Sequence, residues 1–231
     1  MNPWTPSVLR AMAQLLAPER CLACRRRATP PWCARCEATL PPPASACPRC
    51  AGRGGAVHRC WPPEAPIAST VALHDYRGVV ARALVTAKVT GARAGWEALG
   101  QRLAQRLVAE PPEVDVVTWV TTAPARRRRR GLDHAEVLAR VVAVRLGVPA
   151  LRLLDVRAAT GEVDVARASL PGSEVLLVDD ILTTGRTAAA AAGALQAAGA
   201  GNVRLAVVAR AGTHELEPPG LTGPHSSRRM T

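Results

Sequence analysis

Residues 175–187, with the sequence VLLVDDILTTGRT, restrict the possible folds of this chain more than any other segment. An apolar run ends in two adjacent carboxylates, Asp179 and Asp180, and a turn of threonine and glycine then leads into a helical pattern. In parallel α/β sheets, ligands bind beyond the carboxyl ends of the strands. The first turn of a helix offers unpaired N–H groups and a positive dipole end, which suit a phosphate. The segment therefore predicts a parallel sheet with a phosphate site where a strand meets a helix.

The side chains of this segment also suit a ribose. The hydroxyls of Thr183, Thr184 and Thr187 can donate hydrogen bonds, and Gly185 allows the backbone to approach a ligand closely. The paired carboxylates can accept hydrogen bonds from two vicinal ribose hydroxyls. The segment has neither the GK[ST] of a Walker loop nor the spacing of a GxGxxG fingerprint. An ordinary strand–turn–helix without a ligand is the alternative, and the order of the residues argues against it.

After residue 62 the sequence alternates aliphatic runs with helical patterns, which is typical of an α/β domain with a parallel sheet. The predicted strands are residues 69–73, 114–120, 175–178 and 203–209. The predicted helices are residues 79–88, 93–108, 187–198 and a segment that runs from Asp133 to Leu146. Asp133 is a predicted N-cap because Glu136 follows three residues later, and Gly147 is a predicted helix end. We expect His134, which follows the cap, to lie on the helix surface.

All seven cysteines of the chain lie before residue 62, in a segment with almost no aliphatic periodicity. Two CxxC turns hold four thiolates at the spacing of one closed zinc site. The cysteine spacing predicts one Zn²⁺ site from Cys21, Cys24, Cys33 and Cys36, and another from Cys47, Cys50, His58 and Cys60. A disulfide scaffold or redox-active thiols are the alternatives. The odd cysteine count, the repeated spacing and the absence of an export signal favour zinc.

These patterns divide the chain into three predicted parts. Residues 1–62 form an N-terminal helix and a double zinc ribbon, residues 63–213 form the α/β domain, and residues 214–231 form a disordered tail. A segment as short and as poor in apolar residues as the first part needs metal in order to fold. No run of residues has the apolar length of a membrane span, so we expect a cytoplasmic protein with reduced thiols.

The charge of the chain favours polyanionic partners. Lys and Arg number 30 against 18 Asp and Glu, which gives a formal net charge of +12. Lys88 is the only lysine, although the arginine bias itself fits a GC-rich genome. The arginines of the cysteine segment can contact nucleic acid or can simply be solvated, and the sequence leaves both alternatives open.

Residues 175–187 closely resemble the signature of type I phosphoribosyltransferases. The order of the two features, cysteine pairs first and this signature last, resembles the ComF family of competence-associated proteins. Three further matches extend the resemblance over roughly residues 18–211. They are the Tyr76, Arg77 and Gly78 triplet followed by Lys88, the RGLDH run at residues 130–134 in place of RGFNQ, and the Ala209–Arg210 pair.

The resemblance implies a site for phosphoribosyl diphosphate and Mg²⁺. The implied contacts to the ribose and its 5′-phosphate come from Asp179, Asp180, Thr183, Thr184, Gly185, Arg186 and Thr187. Asp179, Asp180 and Lys88 are the implied catalytic residues, with Lys88 at a diphosphate oxygen. The loop at residues 121–130 is the implied diphosphate or polyanion loop, with Thr122, Arg126 and Arg130. Residues 155–172 are shorter than the equivalent segment of the family, which leaves binding intact but exposes the reacting centre to water.

Two functions remain open at this point. As an enzyme, the protein transfers a phosphoribosyl group to a nitrogenous acceptor, in a cell that takes up DNA by natural transformation. As a binding module, it holds single-stranded DNA or proteins of DNA uptake and recombination without catalysis. Single-strand binders stack bases on aromatic side chains, and this chain has five Trp, one Tyr and no Phe.

Overall fold

The computed structural model describes residues 19–40, 47–52, 60–61, 64–120, 132–156, 163–165 and 169–212. Within these residues the strands are β1 (Ser69–Asp75), β2 (Val116–Trp119), β3 (Leu154–Val156), β4 (Val163–Val165), β5 (Glu174–Leu182) and β6 (Asn202–Arg210). The helices are α1 (Ala34–Glu37), α2 (Gly78–Thr90), α3 (Arg93–Ala109), α4 (His134–Leu146) and α5 (Arg186–Ala197). None of these helices is long and apolar enough to cross a lipid bilayer.

The main sheet has four parallel strands in the order β1-β6-β5-β2. β5 lies between β6 and β2, so that Val178 is paired with Ala206 on one side and with Trp119 on the other. The backbone after α4 extends the β2 edge, because Val117 exchanges hydrogen bonds of 2.9 Å with Pro149 and Leu151. β3 and β4 form a separate antiparallel hairpin. The carboxyl ends of the four parallel strands thus share one edge of the sheet, where an α/β fold binds its ligands.

Both faces of the sheet are covered, which explains the apolar β5 sequence. Leu176 and Val178 point into a hydrophobic cluster with side chains of α2, α3 and α4. Val175 and Leu177 point the other way, into a cluster with α5 and the start of the β3–β4 hairpin. This two-sided burial leaves only the carboxyl end of the strand open to a ligand.

The cysteine segment packs onto the α/β part instead of forming a core of its own within the described residues. Leu22 and Trp32 belong to the same cluster as α2, α3 and α4, and Trp61 belongs to the cluster of α5. Gly95 on α3 accommodates this packing, since a Cβ atom there would lie 2.8 Å from a methyl carbon of Leu22. A backbone hydrogen bond of 2.8 Å from Thr70 to the carbonyl of Pro48 joins β1 to the cysteine segment.

The strands and helices predicted after residue 62 are confirmed in type and order, with bounds that differ by a few residues. The predicted N-terminal helix lies outside the described residues. Two details were wrong or missing. β5 continues through Asp179 and Asp180 to Leu182, whereas the prediction ended the strand at Val178. The β3–β4 hairpin was not predicted, because strands of three residues are too short to show an alternating pattern.

Replacement of Leu22 by Ala tests the shared core. Leu22 is 3% exposed, so the loss of its side chain from a packed cluster should lower the free energy of unfolding by roughly 2–5 kcal/mol. Val144→Ala on α4 is the control, because Val144 is 81% exposed and its loss should cost less than about 0.5 kcal/mol. Urea unfolding of the zinc-loaded protein, followed by far-UV circular dichroism, measures both. An unchanged main transition in Leu22→Ala would mean that the cysteine segment is energetically independent.

Candidate functional site

The turn between β5 and α5, residues 183–185, is the centre of the candidate site and is called the β5–α5 turn below. Gly185 is the N-cap of α5 and has a left-handed backbone conformation, with φ of 77°. A Cβ atom at this position would lie 2.2 Å from the ring of Trp61. Glycine is therefore required both by the backbone and by the indole that lies against it. The side chains of Thr183 and Thr184 are exposed beside it.

The predicted phosphate contacts after the turn start a helix. Arg186 and Thr187 are the first two residues of α5, and both are exposed. The first N–H groups of a helix have no partner inside the helix and carry partial positive charge. The described residues of the turn and of α5 thus present hydroxyls and N–H groups at the same edge of the sheet as the acidic pair.

Lys88 lies at the acidic pair, and its predicted contact with a diphosphate remains a prediction. It is in the last turn of α2, and its Nζ is 2.9 Å from Oδ2 of Asp180. The Lys88 side chain is 28% exposed and that of Asp180 is 17% exposed, so the ion pair is largely shielded from water. The two residues are far apart in sequence, and only the packing of α2 on the sheet brings them together.

Asp179 is held in a different electrostatic state. Burial and the neighbouring Asp180 carboxylate raise the pKa of Asp179 to about 8. A hydrogen bond of 2.8 Å from the Asp180 N–H to Oδ1 of Asp179, together with Lys88, reduces the rise. Asp133 adds a further negative charge and acts in the same direction as Asp180. The site therefore contains one carboxylate paired with a cation and one that tends to hold a proton at neutral pH.

Asp133 and His134, at the start of α4, lie near this site. The sequence analysis predicted a cap for the first and a surface position for the second, and the structure shows both of them buried. Asp133 caps α4 as predicted, accepting from the Glu136 N–H, but it is also buried and contributes to the field at Asp179. The expectation that His134 lies on the helix surface was wrong. His134 is 5% exposed and stacks on Trp96 of α3, with the ring centroids 4.4 Å apart. The motif match at residues 130–134 was the signal in the sequence, because Asp133 and His134 stand at the positions of the asparagine and the glutamine of RGFNQ.

The cysteines of the described residues gather in two clusters, which are the ones predicted. Cluster one is Cys21, Cys24, Cys33 and Cys36, and cluster two is Cys47, Cys50 and Cys60. In each cluster the sulfur atoms lie within 4.8 Å of one another. The Cys24–Cys33 and Cys47–Cys60 sulfur pairs are 3.6 Å apart, too far for a disulfide of about 2.05 Å. Tetrahedral Zn–S bonds of about 2.3 Å place sulfurs about 3.8 Å apart, so both clusters fit zinc.

The protonation of the clusters also fits a cation. Burial raises the pKa of Cys21, but backbone hydrogen bonds, above all from Cys24 and Cys33, outweigh it and lower the pKa to about 6. Burial and the neighbouring thiols raise the pKa of Cys36 to about 12. Burial likewise raises the pKa of Cys50 in cluster two to about 11. Four close sulfurs cannot all be thiolates without a cation between them, which is the charge that Zn²⁺ supplies.

A cavity of 670 Å³ separates cluster two from the β5–α5 turn. Its walls come from cluster two and Trp61, from residues 64–66, from the turn with the start of α5, and from the end of β6. The lining residues are Cys50, Cys60, Trp61, Glu64, Ala65, Pro66, Leu182, Thr183, Thr184, Gly185, Arg186, Ala189, Arg210, Ala211 and Gly212. The sequence did not predict that a cysteine cluster and the acidic strand–turn–helix segment would border one space.

Four predicted site residues lie outside the residues that the structure describes. They are His58 of the predicted second zinc site and Thr122, Arg126 and Arg130 of the predicted diphosphate or polyanion loop. Their roles remain predictions. The described end of β2 lies beside β5, where Trp119 is paired with Val178.

Comparison with known proteins agrees with the site geometry. Residues 123–220 match the family described as phosphoribosyl transferase domain. The matched residues contain part of the parallel sheet described above, so this part of the chain has the α/β fold of a phosphoribosyl transferase domain. The match includes the acidic end of β5, the β5–α5 turn, α5 and β6. No curated protein matches the chain at a significant level.

Several solved structures are distantly similar to this one. The glutamine phosphoribosylpyrophosphate amidotransferase from B. subtilis is 24% identical over 48% of this chain, with a TM-score of 0.38. Adenine phosphoribosyltransferase from Thermoanaerobacter pseudethanolicus is 19% identical over 55% of this chain and 85% of its own, with a TM-score of 0.39. Purine phosphoribosyltransferase from Pyrococcus horikoshii is 16% identical over 50% of this chain and 82% of its own, with a TM-score of 0.37. The chain spans 25% of the amidotransferase.

The pKa of Asp179 predicts a pH-dependent contribution to stability. Between its ordinary value of 3.8 and the folded value of about 8, the folded protein holds a proton that the unfolded chain has lost. The contribution of this group to the free energy of unfolding is therefore fully present below about pH 4 and falls as the pH rises towards 8. Asp179→Asn removes the proton-binding group. The wild-type free energy of unfolding minus that of Asp179→Asn should thus fall between pH 6 and 8, by about 1 kcal/mol per pH unit or less.

Urea unfolding of both zinc-loaded proteins at pH 6, 7 and 8 measures this difference. Taking the difference removes the pH dependence of zinc binding, which both proteins share. Parallel pH profiles for the two proteins would contradict a raised pKa at Asp179.

The clusters predict the zinc content of the protein. Protein purified under reducing conditions should carry about two zinc ions per chain, because cluster one offers four thiolates and cluster two offers three. Cys24→Ser and Cys60→Ser should each remove about one ion, from cluster one and cluster two respectively. Elemental analysis by mass spectrometry, with thiol titration after denaturation, measures both quantities. Full zinc content in either variant, or a loss of titratable thiols to disulfides, would contradict the assignment.

Proposed function

We propose that this protein binds the Mg²⁺ complex of phosphoribosyl diphosphate and transfers its phosphoribosyl group to a nitrogenous acceptor. The observation that carries the proposal is the position of Asp179, Asp180 and Lys88 at the carboxyl end of β5, next to the Gly185-capped start of α5. The match of residues 123–220 to the phosphoribosyl transferase domain supports the same function.

Each part of the ligand has a matching group in this arrangement. The 5′-phosphate suits the start of α5, where the N–H groups, the threonine hydroxyls and the helix dipole all favour an anion. The vicinal ribose hydroxyls suit the acidic pair. Asp180 can accept a hydrogen bond, and Asp179, with its raised pKa, can donate one when protonated and accept one when ionised. The ammonium group of Lys88, now 2.9 Å from Asp180, suits an oxygen of the diphosphate.

The proposed reaction exchanges one bond at the anomeric carbon. The acceptor nitrogen forms a bond to C1′, the C1′–O bond to the diphosphate breaks, and the diphosphate leaves with the electron pair. A proton leaves the acceptor nitrogen, which restores its neutral form. Lys88 stabilises the charge that develops on the leaving diphosphate. When bound, Mg²⁺ would neutralise negative charge on the diphosphate, and the carboxylate oxygens of Asp179 and Asp180 would suit such a hard cation.

We also propose that the protein acts in natural transformation as a cytoplasmic member of the ComF family. The cysteine clusters followed by the strand–turn–helix site, together with Lys88 and the Ala209–Arg210 pair, support this assignment. The net charge of +12 favours an encounter with single-stranded DNA or with partners that carry it. In this proposal, zinc has a structural role, and the acceptor is a purine, a pyrimidine or single-stranded DNA.

Calorimetric titration of Mg²⁺–phosphoribosyl diphosphate into the zinc-loaded protein tests the ligand site. The wild type should bind saturably, and Asp179→Ala/Asp180→Ala should lose binding. Lys88→Gln should weaken binding by about tenfold, the effect of removing a charged hydrogen bond. Arg82→Gln is the matched control, since Arg82 is an exposed cation on the same helix and should change the affinity less than twofold.

Two outcomes would contradict the proposed function. The first is a wild type that is folded and zinc-loaded but does not bind the ligand. Titration with single-stranded DNA at two salt concentrations would then test the binding-module alternative, because phosphate contacts weaken steeply with salt. The second is binding without release of diphosphate in the presence of any purine, pyrimidine or single-stranded DNA, which would leave a ligand receptor without transferase activity.

A further inference from the structure

Arg210, the last residue of β6, makes an unusual set of hydrogen bonds at the candidate site. Its Nη1 donates to the carbonyl oxygens of Leu182, Thr183 and Ala211, at 3.2, 2.6 and 2.7 Å. Two of these carbonyls lead into the β5–α5 turn. A single guanidinium group therefore joins the end of β6 to the beginning of the turn.

These bonds determine which way the turn presents its N–H groups. A trans peptide is planar, and its carbonyl and N–H point in opposite directions. Arg210 holds the carbonyl of Thr183 on its own side, and it shares the carbonyl of Leu182 with the N–H of Ala211, which donates to it at 2.9 Å. The N–H groups of Thr183 and Thr184 are therefore directed to the opposite side. The orientation of donors at the turn thus depends on a residue that need not contact the ligand.

The guanidinium of Arg210 has no carboxylate partner among the ion pairs of the described residues. Its Nε is buried and has no hydrogen-bond partner there. Burial lowers the pKa of Arg210, and the groups that oppose this effect are Cys50 and Cys60 of cluster two. The same two cysteines border the cavity that Arg210, Leu182 and Thr183 also border. Metal-bound cysteines are thiolates, so Zn²⁺ held by three of them would give a net negative charge at the wall of the cavity that Arg210 also borders.

A second contact joins cluster two to the turn. Trp61 follows Cys60 directly in the chain, and its ring lies against Gly185. The indole is 9% exposed, and its Nε1 donates to the Thr70 hydroxyl at 3.3 Å. Thr70 in turn donates to the carbonyl of Arg49, next to Cys50, at 2.6 Å. A change in the backbone of cluster two therefore acts on the turn by packing as well as by charge.

We propose that Arg210 is a positioning residue that couples cluster two to the β5–α5 turn, so that zinc bound at Cys47, Cys50 and Cys60 raises the affinity of the turn for a phosphate monoester. This inference rests on the proposed binding of a 5′-phosphate at the turn. Coupling of two binding sites is reciprocal, so a bound phosphate monoester raises the affinity of cluster two for metal by the same factor. Cluster one does not border the cavity and takes no part in this coupling.

Affinity for ribose 5-phosphate is the first readout, since this probe lacks the diphosphate and reports on the turn. Calorimetry should show that Cys60→Ser and Arg210→Gln each bind it about tenfold more weakly than zinc-loaded wild type. Arg210→Lys should retain part of the affinity, because it keeps the charge but loses the forked geometry. Cys24→Ser in cluster one and Arg204→Gln at the opposite end of β6 are the matched controls, with changes below twofold.

A double variant separates coupling from independent damage. If Arg210 acts through cluster two, Cys60→Ser/Arg210→Gln should bind ribose 5-phosphate no more weakly than either single variant. A further readout is independent of ligand affinity. In protein loaded with Co²⁺, saturating ribose 5-phosphate should shift the thiolate-to-cobalt absorption band of wild type and of Cys24→Ser. The band of cobalt-loaded Arg210→Gln should not shift.

The outcomes distinguish this inference from the proposed function. If wild type binds neither phosphoribosyl diphosphate nor ribose 5-phosphate, both are wrong. If wild type binds ribose 5-phosphate and the folded Arg210→Gln and Arg210→Lys proteins bind it equally well, the proposed function stands and the inferred coupling is wrong. Fully additive losses in the double variant, or a cobalt band that shifts equally in Arg210→Gln, would also overturn it. If Cys60→Ser folds poorly, the two Arg210 variants decide whether the coupling exists, because they keep all the metal ligands.

Discussion

The position of β5 in the middle of the parallel sheet is the constraint on which the rest of the structure depends. Pairing with β6 and β2 on either side, and burial on both faces, bury the strand from Val175 to Val178 and leave only its two ends accessible. Asp179 and Asp180 lie at that end, and the turn that follows begins α5. The same pairing brings the end of β6, with Arg210, beside the turn. The site is thus a consequence of how the sheet is assembled.

The two carboxyl groups at this end of the sheet have different electrostatic surroundings. Asp180 has a cation partner in Lys88, whereas Asp179 has carboxylates on two sides and a raised pKa. A protein selected only for stability would not bury neighbouring acidic groups, since each costs free energy when it ionises. Perturbed carboxyl groups in such positions are typical of binding and catalytic sites.

The cysteine segment completes the site from the other side. Its Trp61 lies on Gly185, its cluster two borders the cavity behind the turn, and its Leu22 fills the core over α3. A metal-dependent element that packs in this way links the folding of the segment to the shape of the turn. In most α/β proteins loops alone cover the ligand edge of the sheet, whereas here part of that cover contains a cysteine cluster.

Much of this could be predicted from the sequence, because it depends on local patterns. The apolar run before Asp179, the threonine–glycine turn and the CxxC spacings determined the parallel α/β class, the acidic strand end and the two cysteine groups. The remaining features join residues that are distant in the chain. The Lys88–Asp180 pair, the burial of His134 on Trp96, and the Arg210 bonds to the turn depend on how helices and strands pack, which no local pattern encodes. The sequence thus determined which chemical groups the protein has, and the tertiary structure decided which of them share one site, because only packing converts separation along the chain into distance in space.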